Sequence, residues 1–139
     1  MEMMTDFNPK DFFDIGVDIA DRYNNESGYR TAIGRVYYAC HLMGSDATEK
    51  KGWFHPKNRA ADHSRLCEAL KERQLWSIEQ KLRDLIELRE HADYHIKKPS
   101  NGGCRYCKNV VDKQVWERAK SIASNILPKL QAIYPKQPK

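Results

Sequence analysis

Residues 75–97 carry a stripe of side chains that recurs every three or four positions, which is the spacing of one face of an α-helix. The stripe consists of Ile78, Leu82, Leu85, Arg89, Ala92 and Ile96. Successive helical residues are about 100° apart around the axis, so all six side chains share one face. A helix with one largely apolar face buries it against other elements, and this run therefore predicts a long helix in a multi-helix core.

The rest of the chain contains start and stop signals for further helices and lacks the sustained alternation that is typical of strands. Asn8, Ser27 and Asn109 are the candidate helix starts. The predicted helices cover about residues 9–23, 27–43, 60–73, 75–97 and 110–133, with a loop over 44–58. The fold class predicted is all-α, an antiparallel bundle of four to five helices. We expect this bundle to form a single domain over residues 1–134, followed by a short polar tail over 135–139.

A few residues predict local details of these helices. Gly34 lies in the middle of the second helix, where glycine costs about 1 kcal/mol relative to alanine. Its presence predicts the close approach of a neighbouring helix. Pro128 lies inside the fifth helix and is expected to kink or shorten it. Asn109 and Asp112 are three residues apart and resemble a capping box at the start of that helix.

Length and composition exclude several classes of protein. A chain of 139 residues can bury a core without a metal or a disulfide. With 40% hydrophobic and 31% charged residues, it is not wholly disordered. No apolar run approaches the ~18–20 residues that cross a bilayer, and the acidic start at residues 1–6 lacks the apolar segment of a signal peptide. We therefore expect a cytoplasmic protein, without membrane association, whose four cysteines are free thiols.

Cys104 and Cys107 form a C-x-x-C motif, which is half of a zinc site. No second pair follows at a suitable spacing, so a closed site would need His55, His95 or cysteines of a partner. We expect an ordinary surface loop and no cofactor, with zinc binding at Cys104 and Cys107 as the alternative.

Charge is unevenly distributed along the chain. Acids outnumber bases seven to two in residues 1–27, whereas bases outnumber acids ten to two in residues 97–139. A basic segment is commonly a solvated helix face, but it can also contact phosphates or an acidic protein surface. A small helical bundle that binds nucleic acid through its basic tail is therefore one functional hypothesis.

Arg89 is the charged member of the stripe in residues 75–97. Arginine is almost never fully buried without a partner. In one interpretation, Arg89 pairs with a buried carboxylate or extends its charged end to solvent. In the other, this part of the helix faces a cleft, either within one chain or between two chains. The two turns around it hold several further polar candidates: Glu90, His91, Asp93, Tyr94 and His95. Arginine matches phosphate oxygens and histidine transfers protons near neutral pH, so this run is suited to RNA cleavage by the 2′-hydroxyl without a metal.

Two segments carry motifs that recur in one family of helical domains. Residues 29–41 read Tyr-Arg-Thr-Ala-Ile-Gly-Arg-Val-Tyr-Tyr-Ala-Cys-His, similar to the family's second helix, in which an arginine, Tyr-Tyr-Ala and a following histidine recur. Residues 85–95 read Leu-Ile-Glu-Leu-Arg-Glu-His-Ala-Asp-Tyr-His, similar to its late helix. There an arginine is followed after four to six residues by a histidine, and many members carry Arg-x-x-Ala-Asp-Tyr. The chain thus resembles HEPN domains, and the resemblance covers about residues 8–133 in the number and order of helices.

This resemblance implies a helical bundle that dimerises with the Arg…His motifs of both copies at the interface. Many family members are metal-independent ribonucleases that act as toxins or in antiviral defence, frequently beside a nucleotidyltransferase antitoxin. Arg89 and His95 match the catalytic pair, and Glu90, His91, Asp93 and Tyr94 are supporting candidates. We therefore expect a homodimeric endoribonuclease acting on RNA. The alternative is a non-catalytic HEPN adaptor that binds a partner nucleotidyltransferase or a nucleotide.

Two positions depart from the family pattern. Glu90 stands where asparagine, aspartate or histidine often follows the arginine. Lys97 stands where members modified by an antitoxin carry a tyrosine, so the resemblance does not extend that form of control to this chain.

Overall fold

The structure is a computed structural model that describes residues 7–94 and 110–135. Within these residues every regular element is a helix. The helices are α1 (Lys10–Arg22), α2 (Glu26–Lys50), α3 (Asp62–Glu72), α4 (Trp76–Tyr94) and α5 (Lys113–Ile133). Helix α2 packs against each of the other four, and α4 also packs against α3 and α5. The prediction of an all-α helical bundle is confirmed.

Side chains near the starts of α1, α2 and α5 accept hydrogen bonds from first-turn amides. The Asn8 side chain accepts a hydrogen bond from the amide of Lys10 at 3.0 Å, and α1 begins at Lys10, one residue after the predicted start at Pro9. The predicted cap at Ser27 is wrong, because Asn25 has the extended backbone of a cap and accepts from the amide of Gly28 at 2.9 Å. At α5 the predicted start at Asn109 is also wrong. Asp112 is itself the cap, accepting from the Val115 amide at 3.0 Å, so the helix begins three residues later.

Helix α2 continues through residues that the sequence predicted to be loop. Gly44, Ser45 and Thr48 are buried within it, and the Thr48 hydroxyl donates to the Gly44 carbonyl at 2.7 Å. A methyl group on Gly44 would lie 3.1 Å from a Leu130 side-chain carbon. Gly44 therefore marks the packing of α2 on α5 and not a turn, because tertiary burial outweighs the local preference of Gly-Ser-Asp for turns.

The close helix approach predicted at Gly34 occurs elsewhere. A methyl group on Gly34 would meet only Asp93 Oδ1, at an ordinary 3.8 Å. On Gly16 it would lie 2.9 Å from Val36 Cγ1 and 3.0 Å from the Ala32 carbonyl oxygen. Gly16 is therefore the position that lets α1 approach α2.

Helix α5 passes through Pro128 and ends at Ile133, so the proline does not shorten it. Pro128 is exposed, whereas Ile126, Leu127 and Leu130 around it are buried. No helix in residues 7–94 or 110–135 is long and apolar enough to cross a membrane.

Candidate active site

Arg89 lies one turn before the end of α4, at the boundary between core and solvent. Its side chain is 17% exposed, and its Nε lies 2.8 Å from Asp93 Oδ2. Asp93 is a partner at the surface, since its side chain is 34% exposed. Because Asp93 is partly open to solvent, its attraction for the guanidinium is screened, and another anion can compete with it.

Three tyrosine rings surround the Arg89 guanidinium. Its central carbon lies 5.8 Å from the ring centroid of Tyr37, 5.7 Å from that of Tyr38 and 5.4 Å from that of Tyr94. All three distances are within the range of cation–π attraction, which holds the guanidinium in position. Tyr37 and Tyr38 belong to α2, while Tyr94 ends α4 and is 64% exposed. The cation therefore lies beside flat aromatic surface that is partly open to solvent.

Two histidines complete this group. The ring centroids of His41 and His63 are 4.4 Å apart. Tyr37 stacks on His41 at 5.9 Å, and its hydroxyl is hydrogen-bonded to His63 Nδ1. The buried Nδ1 of His41 has no hydrogen-bond partner among the described residues. We refer to this group as the Arg89 cluster, which comprises Tyr37, Tyr38, His41, His63, Arg89 and Tyr94.

Asp62 fixes the position of His63 at the start of α3. Its buried carboxylate accepts hydrogen bonds from the amides of Lys57 at 3.0 Å and Asn58 at 2.9 Å. It also accepts from the Arg65 guanidinium at 2.8 Å. These bonds hold the loop before α3 against the helix, so the next residue, His63, is presented to α2 in a defined place.

Arg30 fixes the last turn of α4 against α2. Its Nη1 donates to the carbonyl oxygens of His91 at 3.2 Å and Ala92 at 2.8 Å. A cation at the C-terminal end of a helix also interacts favourably with the helix dipole. Glu26 holds Arg30 at 2.9 Å and accepts from the Val111 amide at 3.0 Å, which ties the residues before α5 to the same place. The turn that carries Asp93 and Tyr94 is therefore anchored through its backbone.

Both histidines of the cluster are less basic than usual. Burial lowers the pKa of His41 to about 4, with the charges of His63 and Arg89 acting in the same direction and Asp62 opposing them. Burial also lowers the pKa of His63, aided by Arg89 and opposed by Asp62 and Glu90. Both imidazoles are therefore neutral at pH 7 and can accept a proton. An anion bound to Arg89 would offset one of the charges that oppose protonation.

The predicted supporting residues lie on different sides of α4. Asp93 and Tyr94 contact Arg89 directly. Glu90 is exposed and lies close enough to His63 to raise its pKa. His91 is fully buried and lies about 200° around the helix from Arg89, so it faces away from the cluster.

Three of the sequence-predicted residues lie outside the described residues. They are His95, the predicted partner of Arg89, and the C-x-x-C cysteines Cys104 and Cys107.

Sequence reasoning did not join His41 and His63 to Arg89. His41 was part of the Tyr-Tyr-Ala-Cys-His run, and His63 lies in the third predicted helix, where no motif marks it. The available signal was the four-residue spacing of Tyr37 and His41, which places both on one face of α2. His63 reaches them only through the packing of α3, which no local pattern describes.

Residues 7–94 and 110–135 contain no group of three or more His, Cys, Asp or Glu side chains arranged to hold a metal ion. Comparison of the chain with models of known protein families, with curated proteins and with solved structures finds no significant match.

Proposed function

We propose that this protein is a metal-independent endoribonuclease of the HEPN type that acts as a homodimer, in a toxin or antiviral-defence role. The observation that carries the proposal is the placement of Arg89. It is a permanent cation at the solvent boundary, with three tyrosine rings around it and two neutral imidazoles in the same cluster.

Arg89 is suited to holding the phosphate that is attacked. Its planar guanidinium matches two phosphate oxygens and stabilises the charge that develops on them. Asp93 occupies the Nε side of that guanidinium at 2.8 Å. Substrate binding therefore displaces Asp93 or leaves it on Nε while the terminal nitrogens take the phosphate.

The tyrosines favour single-stranded RNA as substrate. Unpaired bases stack on exposed aromatic rings, whereas the bases of a duplex are already stacked on each other. Tyr94 is the most exposed ring beside Arg89 and is the candidate platform for a base next to the scissile phosphate.

The proton transfer in this proposal involves His95, the histidine that matches the family motif. The 2′-hydroxyl attacks the neighbouring phosphorus, the bond from phosphorus to the 5′ oxygen breaks, and the product ends in a 2′,3′-cyclic phosphate. One group must take the 2′ proton and another must give a proton to the 5′ oxygen. His95 serves as one of these groups. A nucleotidyltransferase antitoxin is a candidate partner of the dimer.

The test is incubation of the pure protein with single-stranded RNA in EDTA. Arg89→Lys should abolish cleavage, because lysine keeps the charge but loses the planar fork. Arg83→Lys is a matched control on the same helix, where Arg83 pairs with Glu79 and Glu68 outside the cluster. It should cleave at the wild-type rate.

Equal cleavage by wild type and Arg89→Lys would contradict the assigned role of Arg89. If wild-type protein leaves all RNA intact in EDTA, the endoribonuclease proposal is overturned. Binding of a nucleotide or a nucleotidyltransferase by that inactive protein would then favour the adaptor hypothesis.

A further inference from the structure

We infer that His63 is the base that removes the 2′-hydroxyl proton in this site, with Tyr37 as the residue that positions it. This inference rests on the proposed function and extends it to a residue on a different helix from Arg89. Three contacts support it, and each concerns a different property that a base requires.

The first contact is the hydrogen bond between the Tyr37 hydroxyl and His63 Nδ1. A neutral imidazole has one nitrogen that donates and one that accepts. When Nδ1–H donates to the Tyr37 oxygen, Nε2 carries the lone pair and can accept a proton. Tyr37 is 1% exposed, and burial raises the pKa of its hydroxyl, so this oxygen remains a neutral phenol.

The second contact joins Tyr37 to Arg89. The same ring that engages His63 lies 5.8 Å from the guanidinium carbon of Arg89 and 5.4 Å from the His63 ring centroid. Tyr37 therefore lies between the proposed phosphate holder and the proposed base. Arg89 and His63 thus contact the same tyrosine, which places the proposed phosphate holder and the proposed base in one cluster.

The third contact is the close approach of the His41 and His63 rings, whose centroids lie 4.4 Å apart with their planes tilted by 35°. Burial and the charge of Arg89 disfavour a charged imidazole at His63 in the free protein, while Asp62 and Glu90 favour it. The phosphate of the substrate adds a negative charge at Arg89, so proton uptake by His63 becomes easier when substrate is bound.

The proposed step balances. The 2′ oxygen gives its proton to His63 Nε2 and forms a bond to phosphorus, while the bond from phosphorus to the 5′ oxygen breaks. The 5′ oxygen takes a proton from the second proton-transfer group of the proposed function. Exchange with water afterwards removes the proton from His63 and returns one to that group.

The test compares His63→Asn with His55→Asn in RNA cleavage with EDTA. Asparagine can keep a bond to Tyr37 but cannot accept the proton, so kcat/KM should fall ~10²–10⁴-fold. His55 is exposed in the loop before α3 and outside the cluster, so its variant should retain the wild-type rate.

Tyr37→Phe gives a second readout that does not depend on whether His63→Asn folds. Phenylalanine fills the same space but removes the oxygen that stabilises the protonated imidazole. The acidic limb of the pH profile of kcat/KM should therefore move to lower pH.

Wild-type rates in a folded His63→Asn, or an unchanged acidic limb in Tyr37→Phe, would overturn the inference while leaving the proposed function standing. Wild-type protein that cleaves no RNA would overturn both.

Discussion

The imidazole rings of His41 and His63 lie 4.4 Å apart with their planes tilted by 35°, although they come from different helices. This contact brings α2 and α3 together at the point where α2 also presents Tyr37 to Arg89 of α4. Three helices therefore contribute to one cluster, in which a fixed cation, neutral imidazoles and phenol rings are neighbours. The acid–base properties of the Arg89 cluster follow from this combination of groups.

Stability should decrease in mild acid because of His41. Its pKa is about 4 in the folded protein and about 6.5 in the unfolded chain. The unfolded state therefore binds the proton first, and the free energy of unfolding should fall as pH decreases from about 6.5 to about 4. Urea titrations at several pH values should show a shallower loss for His41→Gln than for wild type.

His55→Gln is the control for that experiment, because His55 is exposed and outside the cluster. It should retain the wild-type pH dependence. If His41→Gln and wild type lose stability equally over this range, His41 is not the group that titrates there.

Removal of Arg30 should destabilise the end of α4. Arg30→Ala leaves the carbonyls of His91 and Ala92 without this donor and Glu26 without its cation. Hydrogen bonds that involve a charged group contribute ~1.5–3 kcal/mol, so unfolding should become easier by about 2 kcal/mol. Arg22→Ala removes an exposed pair with Asp18 and should cost less than about 1 kcal/mol in the same denaturant titration. Equal losses in the two variants would contradict the anchoring role.

Gly16 and Gly34 should respond oppositely to alanine. A methyl group on Gly16 would lie 2.9 Å from Val36 Cγ1, so Gly16→Ala should cost ~1–3 kcal/mol. On Gly34 it would meet only Asp93 Oδ1 at 3.8 Å, and alanine should stabilise α2 by up to about 1 kcal/mol. Thermal unfolding of the two variants checks this, and a more stable Gly16→Ala would show that α1 does not approach α2 as described.

Local periodicity was enough to predict five helices in their order, but local patterns did not give all of the helix ends and could not predict where the helices touch. The stripe through Leu82, Leu85 and Arg89 identified α4 because its spacing is a property of one helix. Gly44 was assigned to a loop because Gly-Ser-Asp favours turns. Its burial against Leu130 depends on the packing of α5, which the local sequence does not show. A close approach between two helices depends on residues that are far apart in sequence. For the same reason the sequence pointed to Gly34, whereas the glycine that lets a neighbouring helix approach is Gly16.

The candidate site was likewise predicted only in the part that lies on one helix. Arg89 was conspicuous as the charged member of an apolar stripe, and Asp93 and Tyr94 were found because they lie one turn from it. His63 is far from Arg89 in sequence and meets it only through α3, so neither motif nor spacing identified it. A cluster built from three helices becomes apparent only when their packing is known.

The protein should form a dimer with its two-fold axis near α4. Arg89 and the exposed Tyr94 lie at the surface of that helix, and a second copy would place two such sites in one groove. Light scattering at tens of micromolar should give twice the monomer mass. A monomer at that concentration, or a dimer formed solely through α1, would contradict the prediction.

The chemical form of the cleaved RNA ends tests the central claim most directly. Single-stranded RNA is incubated with the protein in EDTA, and the new ends are identified by mass spectrometry. In a matched substrate, one 2′-hydroxyl at the preferred cleavage position is replaced by hydrogen. Attack by the 2′-hydroxyl on a phosphate held by Arg89 predicts a 2′,3′-cyclic phosphate or its 3′-phosphate product, and no cleavage at the deoxy position. New 3′-hydroxyl ends, or undiminished cleavage at the deoxy position, would contradict it.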